Sequence, residues 1–154
     1  MLSGQNLKVV QICFPQAIVD DDDPVGAYGD ANPVSVDTTG FNHASIMTVI
    51  GAIDGTLQAL QVYEGDSVAS GADDSAFSAI TGATVDELPD QTQDNWSSKI
   101  DIDLRGGRKR YLTVDITGAN GSNGAEITAF CILSDPLNSI QNASDAGVDK
   151  WVVV

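Results

Sequence analysis

The chain has 154 residues and a mass of 16.1 kDa, enough for one ordinary domain with its own core. At 42% hydrophobic residues it is too apolar for a disordered chain, yet no apolar run approaches the ~18 residues of a membrane-spanning helix. Seven Lys and Arg stand against 22 acids for a net charge of −15, a field that opposes binding to nucleic acid and to anionic lipid. The opening Met1-Leu2-Ser3-Gly4-Gln5-Asn6 lacks the basic and apolar regions of a secretion signal. The expectation is a chain that stays in the cell that makes it or leaves as part of a particle.

Along the chain the hydrophobic period is mostly two, with β-branched residues in short runs and turn residues between them. Residues 7–14 form an apolar run that Pro15 is expected to end. Asp20-Asp21-Asp22-Asp23-Pro24 opens a loop that continues through Gly26, Gly29 and Pro33. Strands are expected over residues 34–38, 44–53 and 57–63. The small-residue stretch 65–82 is expected to hold one helical turn near 74–80, with loop over 83–95. Further strands are expected over 99–104, 110–117 and 125–133, and a short helix near 137–146 before Trp151-Val152-Val153-Val154. No repeat and no linker divides the chain. The fold class that follows is all-β, an antiparallel β-sandwich of seven or eight strands, jelly-roll-like, with flexible N-terminal and C-terminal arms. It is expected as one domain over residues 1–154, with 1–40 as strand and arm carrying the acidic loop, 41–136 as core and 137–154 as arm.

Two registers can be stated in advance. Asp54-Gly55 suits a two-residue type I′ turn, which would place Met47 opposite Val62 and Val49 opposite Leu60 on one face. If the runs 99–104 and 110–117 are neighbours, only an odd loop keeps their faces consistent, pairing Ile102 with Leu112 and Ile100 with Val114. Such a loop needs a glycine at positive φ.

The chemistry-bearing residues are sparse. Cys13 and Cys131 each sit in an apolar run and read as buried reduced thiols; a bridge would require their strands to be adjacent. Clustered carboxylates at Asp20–Asp23 and Asp73-Asp74 invite calcium, but adjacent residues do not converge on one ion, and a solvated acidic loop is the better reading. His43 is the single histidine, too few for a multi-histidine metal site and with no nucleophile signature beside it. Glu64, Glu87 and Glu126, the three glutamates, fall in no recognisable motif. No catalytic residue, cofactor site or metal site is expected, and the chain does not read as an enzyme. Asn95, Asn120 and Asn142 stand in Asn-x-Ser sequons that carry meaning only on secretion.

One segment departs from the charge balance. Arg105, Arg108, Lys109 and Arg110 place four of the seven bases in six positions, flanking Gly106-Gly107. They are candidate docking residues for an acidic protein surface, against the plainer reading of a solvated tip paired with Asp103 or Asp115. Trp151, Val152, Val153 and Val154 are candidate subunit-contact residues, and Trp96 stands in an expected loop.

From residue 41 to 136 the order of features resembles a known family. It runs Phe41, then Gly51-Ala52-Ile53-Asp54-Gly55-Thr56-Leu57-Gln58-Ala59 and Val62-Tyr63. Ser75-Ala76-Phe77-Ser78-Ala79-Ile80-Thr81-Gly82 follows, then Arg108-Lys109-Arg110-Tyr111-Leu112, Thr117-Gly118 and Phe130-Cys131-Ile132-Leu133-Ser134-Asp135-Pro136. These are similar to the small cement, or decoration, proteins of tailed-bacteriophage heads. The resemblance covers about two thirds of the chain and leaves the first 40 residues and the tail unmatched. It implies a single jelly roll on the outer capsid surface of the virion that bridges major capsid subunits, as a homodimer or homotrimer, with no nucleic-acid or membrane partner. The alternative from the residues is a carbohydrate- or receptor-binding sandwich of a phage tail or spike, which would need exposed aromatics from a total of nine.

Overall fold

In the computed structural model, residues 6–19, 23, 26–30, 32–71, 74–138 and 144–150 are described. They form eight strands: β1 (Lys8–Ile18), β2 (Val36–Asp37), β3 (Phe41–Ile53), β4 (Leu57–Gly65), β5 (Phe77–Thr84), β6 (Ser97–Asp103), β7 (Tyr111–Ala119) and β8 (Ala125–Pro136). No α-helix occurs among the described residues. The strands make two antiparallel four-stranded sheets, ordered β1-β8-β3-β6 (sheet A) and β2-β7-β4-β5 (sheet B). The chain is an all-β antiparallel sandwich.

Only one connection, β4 to β5, joins neighbours within a sheet; every other connection carries the chain across to the opposite sheet. Each strand therefore turns its apolar face inward onto residues distant in sequence. Ile12, Ile46, Ile50, Cys131 and Leu133 from sheet A pack against Leu60, Val62, Leu112, Val114 and Ile116 from sheet B, all of them fully buried. Period-two patterning with β-branched residues is what a layer wet on one side and dry on the other demands.

This crossing overturns the first register expected from the sequence and leaves the condition of the second unmet. Met47 pairs with Phe130 and Lys99, while Val62 pairs with Val114, so Asp54-Gly55 turns a corner between sheets. The Asp54 carboxylate accepts bonds from the Asn123 N–H and side-chain amide at 3.1 and 3.0 Å, which ties this corner to the one between β7 and β8. Strands β6 and β7 likewise lie in different sheets; Ile102 pairs with Ala44 and Leu112 with Val36 and Glu64. Gly107 in the connecting loop does have a positive φ, 83°. Alternation alone cannot choose between two strands side by side and two strands face to face, because both bury the same residues.

Three local expectations also change. Pro15 does not end its strand, since β1 runs on to Ile18. As an edge strand β1 tolerates the missing N–H, and its register shifts between Cys13 and Gln16, where Pro15 falls. Residues 77–84 are strand β5, with a register shift opposite the Gln61 to Tyr63 step; the Gln61 side-chain amide donates to the Ile80 and Ala83 carbonyls at 2.9 and 3.0 Å and holds the distortion. In the tail, 137–138 form a bend and 144–147 a turn; the middle of the expected helix lies outside the described residues.

The stretch set apart as an arm before residue 41 supplies β1, β2 and a packed loop. Ala27 is buried, and the Tyr28 N–H donates to the Val114 carbonyl at 2.8 Å, beyond the short β2. Tyr28 stacks on Tyr63 with ring centroids 4.3 Å apart. Gly26, with φ of 96°, lies so close to β1 that a Cβ would run into the Ile12 carbonyl. At the other end of the strand the Val9 N–H donates to the Ala146 carbonyl at 2.7 Å, and Gly147 approaches the Val9 carbonyl equally closely. The edge of β1 is thus covered from both ends of the chain.

Thr48 sits in the middle of this core, fully buried, and its hydroxyl has no hydrogen-bond partner. An unpaired buried hydroxyl costs about 1–3 kcal/mol. Thr48→Val is expected to raise stability by about 1 kcal/mol, read as a shifted urea midpoint at unchanged m-value. Gly26→Ala is expected to lower it by more than about 1 kcal/mol, and by more than Gly82→Ala, whose φ is also positive but whose Cβ would meet open space.

Candidate docking surface

The connection between β6 and β7, residues 104–110, carries the basic cluster, and it is built by ion pairs with the strands around it. Arg105 grips Asp103 through Nε and Nη2 at 2.9 and 3.0 Å, and its N–H donates to the same carboxylate. Arg110 grips Asp37 on β2 in the same forked manner at 3.0 and 2.7 Å, with its guanidinium 5.0 Å from the centre of the Tyr111 ring. Glu64 pairs with Leu112 across the end of β4, and its side chain is only 13% exposed. There it accepts the Lys109 N–H at 3.1 Å and faces the Arg108 guanidinium at 3.6 Å. Lys109 Nζ lies 3.9 Å from Asp66.

With Lys99 on Asp101 at 2.9 Å, five bases meet five acids. The surface is a set of ion pairs, two of them forked, close to neutral in sum and set into an acidic body. Arg108 and the Lys109 backbone are anchored by Glu64, a residue with no signature in the sequence. Arg105 and Arg110 have side chains 68% and 54% exposed and remain the accessible part of the candidate docking set.

The same outer edge holds the one histidine. The Ser134 hydroxyl lies 2.9 Å from His43 Nδ1, and His43 Nε2 lies 3.4 Å from an Asp101 oxygen that also accepts the Ser45 hydroxyl at 2.6 Å. Serine, histidine and aspartate come from β8, β3 and β6, three adjacent strands, so sequence spacing gave no sign of them. The residue types are those of a nucleophilic triad. His43 and Ser134 stand on β3 and β8, inner strands whose backbone N–H groups are used in the ladder on both sides. The arrangement orients an imidazole and fixes three strands.

The other candidates are local. Asp74 caps its own loop, accepting bonds from the N–H groups of Ser70 and Ala76 and from the Ser70 hydroxyl, and these bonds lower its pKa. Asp23 takes the Thr117 hydroxyl at 3.3 Å; Asp20, Asp21, Asp22 and Asp73 lie outside the described residues. No group of three metal-ligating side chains occurs among the described residues. Trp96 packs on the core, while Trp151, Val152, Val153 and Val154 lie outside the described residues. Cys13 and Cys131 do lie on adjacent strands, but Cys13 pairs with Ala129 and Cys131 with Val10, and both are free thiols. Burial pushes them up to about 11 and about 12, so neither is a thiolate near neutrality.

The forked pairs make stability depend on acid. Hydrogen bonds from Arg105 hold Asp103 down at about 2, and those from Arg110 hold Asp37 further below the usual carboxylate range. A carboxylate whose pKa is lowered on folding stabilises above its unfolded value near 4 and loses that contribution as pH falls through the folded value. The melting temperature is therefore expected to fall between about pH 4 and pH 2. Arg110→Gln should lower it only slightly at pH 7 and shrink the drop at low pH. Against protein-family models, curated proteins and solved structures, the chain has no significant match.

Proposed function

We propose that the protein is a structural component of a virion, a jelly-roll cement that sits on the outer surface of a phage capsid and bridges major capsid subunits. The observation that carries this reading is the strand order. Strands alternate between the layers, 1-8-3-6 against 2-7-4-5, so that two four-stranded sheets interleave along one chain. Two interleaved four-stranded sheets fit a double-sheet jelly roll, the architecture implied by the likeness of residues 41–136 to cement proteins. The action is mechanical: a copy spanning two capsid subunits adds its own contacts to those that shell expansion or DNA pressure must break. The net charge of −15 fits a component that must stay soluble before assembly and must not adhere to DNA. The carbohydrate- or receptor-binding alternative draws less support. Tyr28 and Phe77 are buried, Trp96 packs on the core, and Phe14 is the exposed large aromatic among the described residues.

The test is decoration. Purified protein mixed with expanded, undecorated heads of the phage that encodes it is expected to give stoichiometric density at symmetry-related positions by electron microscopy. Bare heads after mixing would end the cement reading. Arg105→Gln with Arg110→Gln, which spares the buried Glu64 pairing, is expected to lower occupancy; unchanged occupancy would remove the basic loop from the docking surface.

A further inference from the structure

The β3–β4 turn and the β7–β8 turn lock together through Asp54, and the chain's two Asn-Gly pairs, Asn120-Gly121 and Asn123-Gly124, both stand at this corner. An asparagine before glycine is open to attack on its own side-chain amide, because glycine leaves its backbone nitrogen unhindered. The two pairs are held differently. Asn123 donates its N–H and its side-chain amide to Asp54 at 3.1 and 3.0 Å, which sets a carboxylate beside that amide. Gly124 is buried, and its N–H donates to the Gly121 carbonyl at 3.1 Å. Asn120 is exposed, and its Oδ1 accepts the Thr56 N–H at 3.1 Å. The Gly121 N–H has no hydrogen-bond partner among the described residues.

We propose that Asn120 is a self-modification site, at which the chain deamidates itself while folded. The Gly121 nitrogen bonds to Asn120 Cγ and the Cγ–Nδ2 bond breaks. The nitrogen's proton leaves with Nδ2 as ammonia, and a succinimide ring remains. Water then opens the ring at either carbonyl, giving aspartate or, with the chain rerouted through the side chain, isoaspartate. The Thr56 N–H sets Asn120 apart chemically. It donates to the oxygen on which negative charge develops as the nitrogen attacks. Charge growing on the Asn123 amide would instead face the Asp54 carboxylate. Either product adds a carboxylate to the corner that already holds Asp54, in a chain of −15. Isoaspartate also lengthens the backbone where there is no slack. A Cβ on Gly55 would run into Asn120 Oδ1 and the Gly121 nitrogen, and one on Gly121 would run into the Asp54 carbonyl. The corner thus carries a one-way change set by time and pH rather than by a ligand.

The test needs only the purified full chain, so it stands or falls apart from the cement reading. The folded chain is held at mildly alkaline pH and mapped at intervals by proteolysis and mass spectrometry. Asn120 is expected to gain the mass of an amide-to-acid exchange at least about tenfold faster than Asn123. Methyl transfer by an isoaspartyl methyltransferase is expected to mark the same peptide. In concentrated urea both Asn-Gly pairs lose their partners, and the two are expected to convert at rates within about threefold of each other. The rate at Asn120 should rise with pH, because the attacking nitrogen must give up its proton. Asn120→Gln is expected to abolish the gain at that position and leave Asn123 slow. A folded chain in which Asn123 converts as fast as Asn120, or in which neither changes, would overturn the proposal. So would conversion at Asn120 that is indifferent to pH.

Discussion

The structure depends on the packing of two apolar sheet faces against each other, with nearly every connection crossing between them. Because consecutive strands other than β4 and β5 lie in different layers, each sheet is assembled from strands far apart in sequence. Ile12 and Ile46 become dry only when Val62, Leu112 and Val114 arrive from the opposite sheet. Strand β1 finds its partner β8 more than a hundred residues away, and β3 lies between β8 and β6. Such distant pairings make loop closure the main cost of folding and predispose the chain to slow, cooperative assembly. The sandwich forms as a whole or not at all.

Closing the edges is the second constraint, and the chain handles each edge with different means. On β1, Pro15, the register shifts and the approach of Gly26 and Gly147 leave little free ladder. On β6, Lys99, Asp101 and Asp103 alternate outward, and on β5 the distortion held by Gln61 interrupts the pairing line. These are recognised defences against edge-to-edge aggregation. With the edges guarded, the faces are left as the surfaces for contact.

The β class and the position of most strands were legible because burial on one side writes itself into the sequence with period two. Residues 44–53, 57–63 and 125–133 all lie within observed strands, as their alternation and β-branched content require. Which strands pair was not legible. The pattern at Asp54-Gly55 fits a hairpin within one sheet and a corner between two equally well, and only long-range packing chooses the corner. Strand β5 was hidden for another reason: Phe77, Ile80 and Ala83 are buried at a spacing of three, which imitates a helical turn where a register shift is at work. The basic loop was legible as a cluster but not as a set of pairs, because Asp37 and Glu64 reach it from distant strands. The Ser134, His43 and Asp101 contact was invisible for the same reason.

Charge and patterning together say what kind of association this surface can support. The acids on the remainder of the chain keep free copies apart, while the pairs around residues 104–110 cancel locally and give little long-range attraction. Encounter through that loop is therefore weakly steered, and an acidic partner must compete with Asp37 and Asp103 for guanidiniums already held in forks.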